Sequence, residues 1–412
     1  MQYQKLSKLY YKLDYDAYLN EIDKRKHGYS SYLTSLKIRG FKKGQLTKDY
    51  FELFYVNIPE LTSVSNEVLI NSSKISLLIS KLPPFAVQYY FNKLIINEAQ
   101  SNNEIEGIRS TKKELQEALM DVSNPQSKNN KRFKGLMKTY RYIDQINSFE
   151  NVEDFRKLYD ALVSDEINED DTPDGKLFRD NYVEINDGLK TTHIGLSNEQ
   201  KIIEGLGALI NYIHNSAHPP LYRYLVAHYY YEYIHPFYDG NGRTGRLIVG
   251  SYISRYLEKY TAITFSYAIN KDKLKYYKAL EEIPFPLNQG DMTFYLVDML
   301  QLLATGQKLI IEDLEISLDK FERISQFFDE DRWTKLSDEQ QVLFTMVTIV
   351  VFISSDTLFT LQSLMEMSQK SRHIMNKVMT YLLEEGYVKE VSKKPKSYQI
   401  CEEFVDKILS KN

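Results

Sequence analysis

The chain has 412 residues, 43% of them hydrophobic, so two or three domains with buried cores are expected. Its net charge of −4 excludes a protein that binds nucleic acid over its whole surface, and any such contact would need a local basic patch. The single cysteine, Cys401, excludes an intramolecular disulfide, and the lack of a signal-peptide pattern or of an apolar run of about 18 residues predicts a cytoplasmic protein without a membrane segment.

The first part of the chain predicts a helical region over residues 1–123. Residues 1–60 are polar and rich in tyrosine, with weak periodicity, and indicate no role. Two helices are predicted over 65–82 and 85–106, separated by Pro83 and Pro84. Gly107 suits the end of the second helix, and Thr111 with Glu114 forms a capping box that opens another. The polar loop 124–131 marks the boundary to the next domain.

A mostly helical core domain is predicted over residues 124–305. A short strand at 182–185, the turn Asn186-Asp187-Gly188 and a return strand at 189–194 predict a β-hairpin within it. A charged helix over 307–328 is expected to belong to a connector, 306–335. Apolar periodicity predicts the helices of the core over 133–146, 152–164, 201–214, 221–234, 243–260, 273–281 and 292–303.

One stretch of the core, residues 235–246, reads His-Pro-Phe-Tyr-Asp-Gly-Asn-Gly-Arg-Thr-Gly-Arg and combines several groups used in phosphate chemistry. Its glycines allow a tight turn whose N–H groups bind anions, and a helix starting near Gly242 would add a partial positive charge. Arg243 and Arg246 share one helix face and can bind phosphate oxygens. Asp239 is the type of ligand that Mg²⁺ prefers, and His235 can transfer protons near neutral pH.

The same stretch resembles the signature of the Fic/Doc family, His-Pro-Phe-x-(Asp/Glu)-Gly-Asn-Gly-Arg-x-x-Arg, at every fixed position. The resemblance implies a helical core and transfer of a nucleotidyl group, usually AMP from ATP, to a Ser, Thr or Tyr hydroxyl of a protein. It implies that His235 is the general base, that Asp239 holds Mg²⁺ and that Phe237 is a buried anchor. It further implies a set of ATP-binding residues: Gly240, Asn241, Gly242, Arg243, which also belongs to the predicted catalytic set, and Arg246.

A second resemblance lies upstream, in residues 97–108, Asn-Glu-Ala-Gln-Ser-Asn-Asn-Glu-Ile-Glu-Gly-Ile. It is similar to the inhibitory-helix motif of Fic proteins, (Ser/Thr)-x-x-x-Glu-(Gly/Asn). Glu106 and Gly107 match the end of the motif, whereas Asn102 stands where the motif has Ser or Thr. The resemblance implies that Glu106 pairs with Arg246 in the place of an ATP phosphate. The alternative is an ordinary glutamate at a helix end.

Other residues of the core receive weaker predictions. The β-hairpin resembles the family's flap, which would bind the target segment as an added strand. Tyr276 or Tyr277 would stack on the adenine, with core packing an equal alternative. His228, inside a helix, is interpreted as a packed residue, and His193 and His218, in loops, are assigned no role.

From residue 336 onwards the pattern changes. Helices over 337–353, 360–368 and 371–385, followed by strands over 387–391 and 397–401, resemble a winged-helix domain, 336–412. Its segment 370–396 has a net charge of +4 and would suit DNA, with protein contacts or dimerisation as the alternative. The charged residues of this segment are Lys370, Arg372, Lys377, Glu384, Glu385, Lys389, Glu390, Lys393, Lys394 and Lys396.

These patterns predict a mainly α protein with a Fic core, a β-hairpin flap and a C-terminal winged helix. The predicted function is AMP transfer from ATP, with Mg²⁺, to an unidentified protein or to the chain itself, restrained by Glu106. One alternative uses the same site to remove AMP from a modified protein, with Glu106 orienting water; a donor other than ATP is also left open. Another alternative is a transcriptional regulator that acts through the winged helix. A homodimer is left open.

Overall fold

The structure, a computed structural model, describes residues 3–122, 132–163, 166–186, 188–330, 333 and 336–410. It is 65% helical with small antiparallel sheets, which confirms the predicted fold class. The predicted loop 124–131 and Asp187 of the predicted turn lie outside the described residues. The chain divides into two compact units, one made of residues 1–73 and 92–310 and the other of residues 74–91 and 311–412.

The N-terminal part of the first unit contains a long β-ribbon that was not predicted. After helices α1 (Leu6–Leu9) and α2 (Tyr15–His27), strands β1 (Ser31–Lys42) and β2 (Gln45–Val56) pair antiparallel. The prediction of helices throughout residues 1–123 is therefore wrong here. The turn residues Lys43 and Gly44 both have positive φ, as a type I′ turn requires, but a lysine in its first position is a weak turn signal.

The remaining helices of the chain up to residue 328 include the predicted ones, with one hairpin between them. Their bounds are α3 Pro59–Ser80, α4 Pro84–Ile105, α5 Lys112–Val122, α6 Lys134–Arg141, α7 Val152–Val163, β3 Glu184–Asn186, β4 Thr191–Ile194, α8 Glu199–Asn215, α9 Pro220–Ile234, α10 Asn241–Tyr256, α11 Lys259–Ala262, α12 Phe265–Lys271, α13 Lys273–Glu282 and α14 Thr293–Phe328. The helix predicted over 243–260 ends at Tyr256, and α12 was not predicted. The hairpin of β3 and β4 is antiparallel and shorter than predicted. The capping box is present, because Thr111 and Glu114 exchange backbone and side-chain hydrogen bonds.

Helices α9 and α10 are buried along most of their length. The 235–246 stretch consists of the loop between them, 235–240, and the first residues of α10. Gly245 allows the close approach of the two helices, because a Cβ at this position would overlap the side chains of Tyr231 and Glu232. The stretch therefore begins and ends on two central helices, and its position depends on the packing of the core.

Helix α14 is continuous where two helices were predicted, over 292–303 and 307–328. The predicted break between residues 303 and 307 is therefore wrong. Gly306 lies inside the helix, and a Cβ there would meet the hydroxyl of Thr264, so close packing explains the glycine. By length and composition α14 could cross a membrane, but 67% of its most apolar window is buried within the protein. This burial is typical of a core helix.

The C-terminal part of the second unit contains the predicted three helices and hairpin. The bounds are α15 Ser337–Phe352, β5 Phe359–Thr360, α16 Leu361–Ser368, α17 Arg372–Glu384, β6 Val388–Lys393, β7 Lys396–Ile400 and α18 Glu402–Ser410. The strands form an antiparallel sheet in the order β5-β7-β6. A hydrophobic core joins α15, α17 and β7 through Met346, Val347, Val378, Leu382 and Tyr398.

Candidate active site

His235 lies where helix α9 ends and is held in a left-handed conformation, with φ 52° and ψ 66°. A non-glycine residue in this region is uncommon and is often found at functional sites. Its N–H still donates to the carbonyl of Tyr231 at 3.1 Å, and its own carbonyl accepts from Nε of Arg179 at 2.8 Å. The backbone on both sides of the imidazole is therefore fixed.

The imidazole of His235 is kept neutral. Burial, together with the nearby His193 and the charge of Arg179, lowers the pKa of His235 well below its usual value. The ring centroids of His193 and His235 are 6.0 Å apart. His193 donates from Nε2 to the carbonyl of Tyr233 at 2.9 Å, and burial lowers its pKa to about 4. A neutral His235 can accept a proton at neutral pH.

The loop after His235 is stabilised by a buried aromatic ring and by hydrogen bonds between a side chain and the backbone. The ring of Phe237 is fully buried and stacks on Tyr159 with centroids 3.6 Å apart, so Phe237 lies as a buried anchor. The side chain of Asn241 accepts from the N–H of Phe237 at 2.9 Å and donates to its carbonyl at 2.7 Å. Only the backbone N–H of Asn241 is then left for a ligand, so its predicted ATP contact is restricted to that group.

Helix α10 begins directly after this loop. Gly240 precedes it with φ 79°, and the N–H of Gly240 donates to Oδ1 of Asp239 at 2.7 Å. The first N–H groups of a helix have no partners within the helix and carry a partial positive charge. Backbone donors of Asn241, Gly242 and Arg243 are thus available for an anion.

Arg243 is buried and only partly satisfied. Its Nη1 donates to Glu166 at 2.8 Å, and its Nη2 lies 3.7 Å from a carboxylate oxygen of Asp239. Within the described part of the chain, Nε and Nη2 of Arg243 have no hydrogen-bond partner. Unpaired donors of a buried guanidinium are costly unless a ligand supplies acceptors. The arrangement suits binding of a phosphate group.

Arg246, one helical turn further on, is bound by Asn102 of helix α4 and by Glu106, which directly follows this helix. Its Nε donates to Oδ1 of Asn102 at 2.6 Å, and its Nη2 donates to a carboxylate oxygen of Glu106 at 2.5 Å. Asn102 is completely buried and donates in turn to the hydroxyl of Tyr140 at 2.7 Å. Asn102 therefore binds the arginine from the position where the resembled motif has Ser or Thr.

Glu106 is presented by the end of helix α4. Gly107 has φ 73° and donates to Glu104, while Ile108 donates to Asn103, a Schellman motif that confirms the predicted helix end. A Cβ at Gly242 would overlap the Glu106 carboxylate, so this carboxylate lies directly against the first turn of α10. The predicted ion pair between Glu106 and Arg246 is present, and it occupies the face where an anion would bind.

Glu232 is a member of the site that the sequence did not indicate. It lines the same cavity, and one of its carboxyl oxygens is buried with no hydrogen-bond partner among the described residues. Nδ1 of His228 lies 3.9 Å from this oxygen. Burial and the neighbouring Glu106 raise the pKa of Glu232 to about 8, although the charge of Arg246 opposes this. Arg246 thus has two carboxyl groups as neighbours, one of them largely protonated at neutral pH.

A cavity of about 180 Å³ joins Glu106, Glu232, His235, Gly242 and Arg246. The other predicted site residues of the loop and of α10 are not among those that line it: Asp239, Gly240, Asn241 and Arg243. The cavity is smaller than the roughly 300–1,000 Å³ usual for pockets of drug-sized ligands.

Tyr276 and Tyr277 form one wall of the cavity; Tyr276 is buried and its hydroxyl lies 2.9 Å from Nε2 of His228, whereas Tyr277 is 40% exposed. His228 is packed as predicted. His193 was predicted to lie in a loop without a role, but it lies in strand β4 and lines the cavity.

The β3–β4 hairpin borders the cavity through Ile185 and Thr192. Strand β3 pairs with β4 on one side only, among the strands that the structure describes. The tip of the N-terminal ribbon lies next to β4, because Gly44 is close to Thr191. The ribbon also reaches the cavity wall, since the N–H of Arg39 donates to the hydroxyl of Tyr233 at 2.9 Å.

Asp239 is the carboxylate best placed for a metal ion. It is 46% exposed at its side chain and lies beside the N-terminus of α10. No group of three or more His, Cys, Asp or Glu side chains in the described residues could hold a metal. Mg²⁺ usually binds one or two carboxylates together with waters and substrate phosphates, so this donor set fits an ion that arrives with a nucleotide.

Residues 149–253 match the model of the Fic/DOC family, so the chain contains a domain of this family around the site. A Fic family protein from Desulfovibrio desulfuricans G20 is similar in structure, with a TM-score of 0.53 and 17% identity over 84% of this chain and 98% of that one. This likeness shows a shared fold.

Two further structures are less similar. A Fic domain containing signaling protein from Bacteroides thetaiotaomicron has a TM-score of 0.42 and 18% identity over 62% of this chain and 97% of its own. Fic-1 from C. elegans has a TM-score of 0.40 and 14% identity over 63% and 75%. None of the curated proteins is similar enough in sequence to match the chain.

Proposed function

We propose that the Fic/DOC domain at residues 149–253 makes this chain a protein adenylyltransferase, which transfers AMP from ATP to a Ser, Thr or Tyr hydroxyl of a protein. Fic domain proteins are typically enzymes that transfer nucleotide-derived groups to proteins. The observation that carries the proposal is the convergence of a neutral His235, the buried Arg246 and Gly242 in the first turn of α10 on one cavity, with the buried Arg243 in the same turn of the helix.

In the proposed reaction His235 accepts the proton of the target hydroxyl. The hydroxyl oxygen forms a bond to the α-phosphorus of ATP, the bond to the β-phosphate oxygen breaks, and pyrophosphate leaves. Arg243 and the backbone N–H groups of α10 would bind phosphate oxygens and stabilise the charge that develops. Mg²⁺, when bound by Asp239, would neutralise part of the phosphate charge. Proton acceptance by His235 is worth roughly 10²–10⁴-fold in rate.

A protein, rather than a small molecule, is the acceptor that the surroundings of the site favour. Strand β3 has an edge without a partner strand in the described residues, and its Ile185 lines the cavity. An extended segment that pairs with this edge would be held by backbone hydrogen bonds, which tolerate many sequences. Its hydroxyl would then face His235.

We infer that Glu106 restrains this reaction. Its carboxylate occupies the guanidinium of Arg246 and lies against Gly242, so a phosphate can bind there only by displacing it. Two negative groups cannot share the donors of Arg246 without repulsion. Asn102, Glu106 and Arg246 would form a closed arrangement until α4 moves.

The experiment combines wild type, Glu106→Gly and Glu106→Gly/His235→Ala with Mg²⁺ and each of ATP, GTP, CTP and UTP, followed by intact mass measurement of the protein and of added candidate targets. The expected result is a gain of one AMP from ATP in the Glu106→Gly sample, lost in the double variant. Lack of any gain with every nucleotide, by the chain and by all targets, would contradict nucleotidyl transfer.

Removal of AMP is the competing reaction in the same site, and it makes the opposite demand on Glu106. AMP-modified protein obtained with the Glu106→Gly variant is incubated with wild-type protein, and the released AMP is measured. Release that requires both Glu106 and His235 would assign hydrolysis to the site. A stable modification supports transfer as the main activity.

A further inference from the structure

Helices α16 and α17 are arranged as a helix-turn-helix. Residues 369–371 connect them, and Gln369 reverses the chain with φ 54°. Ser371 caps α17, because its hydroxyl accepts from the N–H of Ile374 at 3.4 Å. In this motif the second helix lies at the surface, where its N-terminal residues can enter a groove of DNA.

The two faces of α17 differ sharply. One face is buried in the core of the unit through Met375, Val378, Met379 and Leu382. The exposed residues of the N-terminal part of α17 are, besides the apolar Ile374, polar or basic side chains that can donate hydrogen bonds to base edges: Arg372, His373, Asn376, Lys377 and Thr380. Arg372, Asn376 and Thr380 follow each other at intervals of four residues, so they lie in one line along the helix. None of these exposed residues is acidic.

The β6–β7 hairpin that follows carries most of the remaining basic charge. Lys389, Lys393, Lys394 and Lys396 are all exposed. Among the described residues, Lys396 is the one of the four with an ion-pair partner, Glu390 at 3.5 Å. Lys370 is not counted among the lysines that could contact DNA, because its Nζ lies 2.6 Å from a carboxylate oxygen of Asp338. The exposed acids of α17, Glu384 and Glu385, lie at its C-terminal end, away from the end that would read bases.

We propose that this unit binds double-stranded DNA, with the exposed face of α17 in the major groove and the β6–β7 hairpin against the phosphate backbone. These residues together are called the α17 surface: Arg372, His373, Asn376, Lys377, Thr380, Lys389, Lys393, Lys394 and Lys396. An α-helix fits the major groove of B-DNA, whereas the deep, narrow major groove of double-stranded RNA excludes it. The charge complements the phosphates of DNA. This inference is independent of the adenylyltransferase proposal.

The test uses the full chain. Duplexes are first selected from a random-sequence pool. The affinity for the selected duplex and for a scrambled duplex is then measured by fluorescence anisotropy between about 50 and 200 mM KCl, where binding through phosphate contacts depends strongly on salt. We expect preferential binding of the selected duplex. The logarithm of the association constant should fall against log salt with a slope of about −4 or steeper, near −0.9 for each phosphate contact.

Variants separate the two parts of the α17 surface. Lys393→Ala/Lys394→Ala should weaken binding to both duplexes to a similar extent and reduce the salt slope by about two. Asn376→Ala should keep the slope but lower the preference for the selected duplex on the order of tenfold. Lys407→Ala, an exposed lysine on α18 and outside the α17 surface, should change neither. Circular dichroism checks that every variant is folded.

Three results would overturn the proposal. The first is binding of all duplexes no tighter than about 100 μM at 50 mM salt, the weak end of non-specific affinity. The second is binding that Lys407→Ala reduces as much as the α17 surface variants do. The third is loss of self-association in the α17 surface variants, seen by analytical ultracentrifugation, with no duplex binding by wild type, which would assign the surface to contacts between copies of the chain.

Discussion

The cavity around Arg246 and the α17 surface both contain basic side chains, but these side chains are buried in the cavity and exposed on the α17 surface. Arg246 is buried and already bound by Asn102 and Glu106, whereas Arg372 is exposed to solvent. Removing a cation from water is costly unless a counter-charge accompanies it, while an exposed cation keeps its hydration. A buried anion site must therefore contain an acid of the chain before its substrate arrives, and an open surface needs none.

This difference predicts how each region responds to mutation. In the cavity each group has several buried partners, so a single substitution should have a large effect that depends on its neighbours. On the α17 surface the contacts are separate and solvated, so the effects should be small and should add. The following predictions test the buried side of this comparison, from the largest effect to the smallest.

The largest effect is expected from His235. In the Glu106→Gly background, His235→Ala should lower the rate of AMP transfer by about 10²–10⁴-fold, because no other neutral base lies in its place, while ATP binding is retained. Initial rates and calorimetric titration with ATP measure the two properties. The control is His27→Ala, which removes an exposed histidine of α2. An unchanged transfer rate in His235→Ala would remove His235 from the mechanism.

Glu98 should make stability depend on pH. It is buried on α4 and accepts from the N–H groups of Ser266 and Tyr267 at 2.8 Å, yet burial raises its pKa from 4.5 to about 7. The folded protein then binds more protons than the unfolded chain between these values, so the free energy of unfolding should fall as pH rises through this window, by on the order of 3 kcal/mol.

Urea denaturation at pH 5 and pH 8 measures this dependence on pH. Glu98→Gln should remove the Glu98 contribution, whereas Glu384→Gln, at an exposed position of α17, should leave the pH dependence as in wild type. A pH dependence that is the same in wild type and Glu98→Gln would contradict the raised pKa.

Asn102 should stabilise the folded protein through its hydrogen bonds with Arg246 and Tyr140. Asn102→Ala would leave Nε of Arg246 and the hydroxyl of Tyr140 without their present partners in a buried site, and we expect the free energy of unfolding to fall by about 1–3 kcal/mol. Asn102→Ser, which restores the residue type of the resembled motif, should lose less. Equal stability of wild type and Asn102→Ala would mean that these hydrogen bonds contribute nothing.

The smallest effect is expected when the pH is lowered from 8 to 6.5 and kcat/KM is measured. Because the pKa of His235 lies well below its usual value, the imidazole stays neutral when pH falls from 8 to 6.5, and kcat/KM of the Glu106→Gly variant should not fall through loss of the base. A pH–rate profile measures this. Glu232 lines the same cavity and its pKa is raised to about 8, so it must be removed as well. An acid limb with an apparent pKa near 7 that persists in both His193→Gln and Glu232→Gln would contradict a lowered pKa at His235.

Much of the site could be predicted because its residues are contiguous. The spacing of His235, Asp239, Gly240, Arg243 and Arg246 fixes a helix end, a turn and a helix start, and these are local features. The pair of Glu106 with Arg246 joins positions far apart in the chain, so only the resemblance of the upstream helix to an inhibitory motif indicated it. The structure places the pair, while the restraint remains a proposal.

The residues that were missed owe their roles to neighbours distant in sequence. Glu166 is one acid among many until the fold brings it to Arg243. Burial and neighbours distant in sequence shift the pKa values of Glu232 and His193. Burial alternates along β1, but two of its inward positions are Thr34 and Gly40 while Leu33 is exposed, so the sequence shows no clear apolar alternation and the N-terminal ribbon was missed. Local sequence carries no signal for these environments.

The most direct measurement is the initial rate of AMP transfer from ATP by wild type, Glu106→Gly and Glu104→Gly. Glu104 is two residues away on α4, is exposed and binds Asn270, so Glu104→Gly removes the same charge from the same helix without touching Arg246. We predict that the initial rate rises tenfold or more, equivalent to about 1.4 kcal/mol, in Glu106→Gly but not in Glu104→Gly. Equal rates in all three proteins, or the same increase in both variants, would contradict restraint by the Glu106–Arg246 pair.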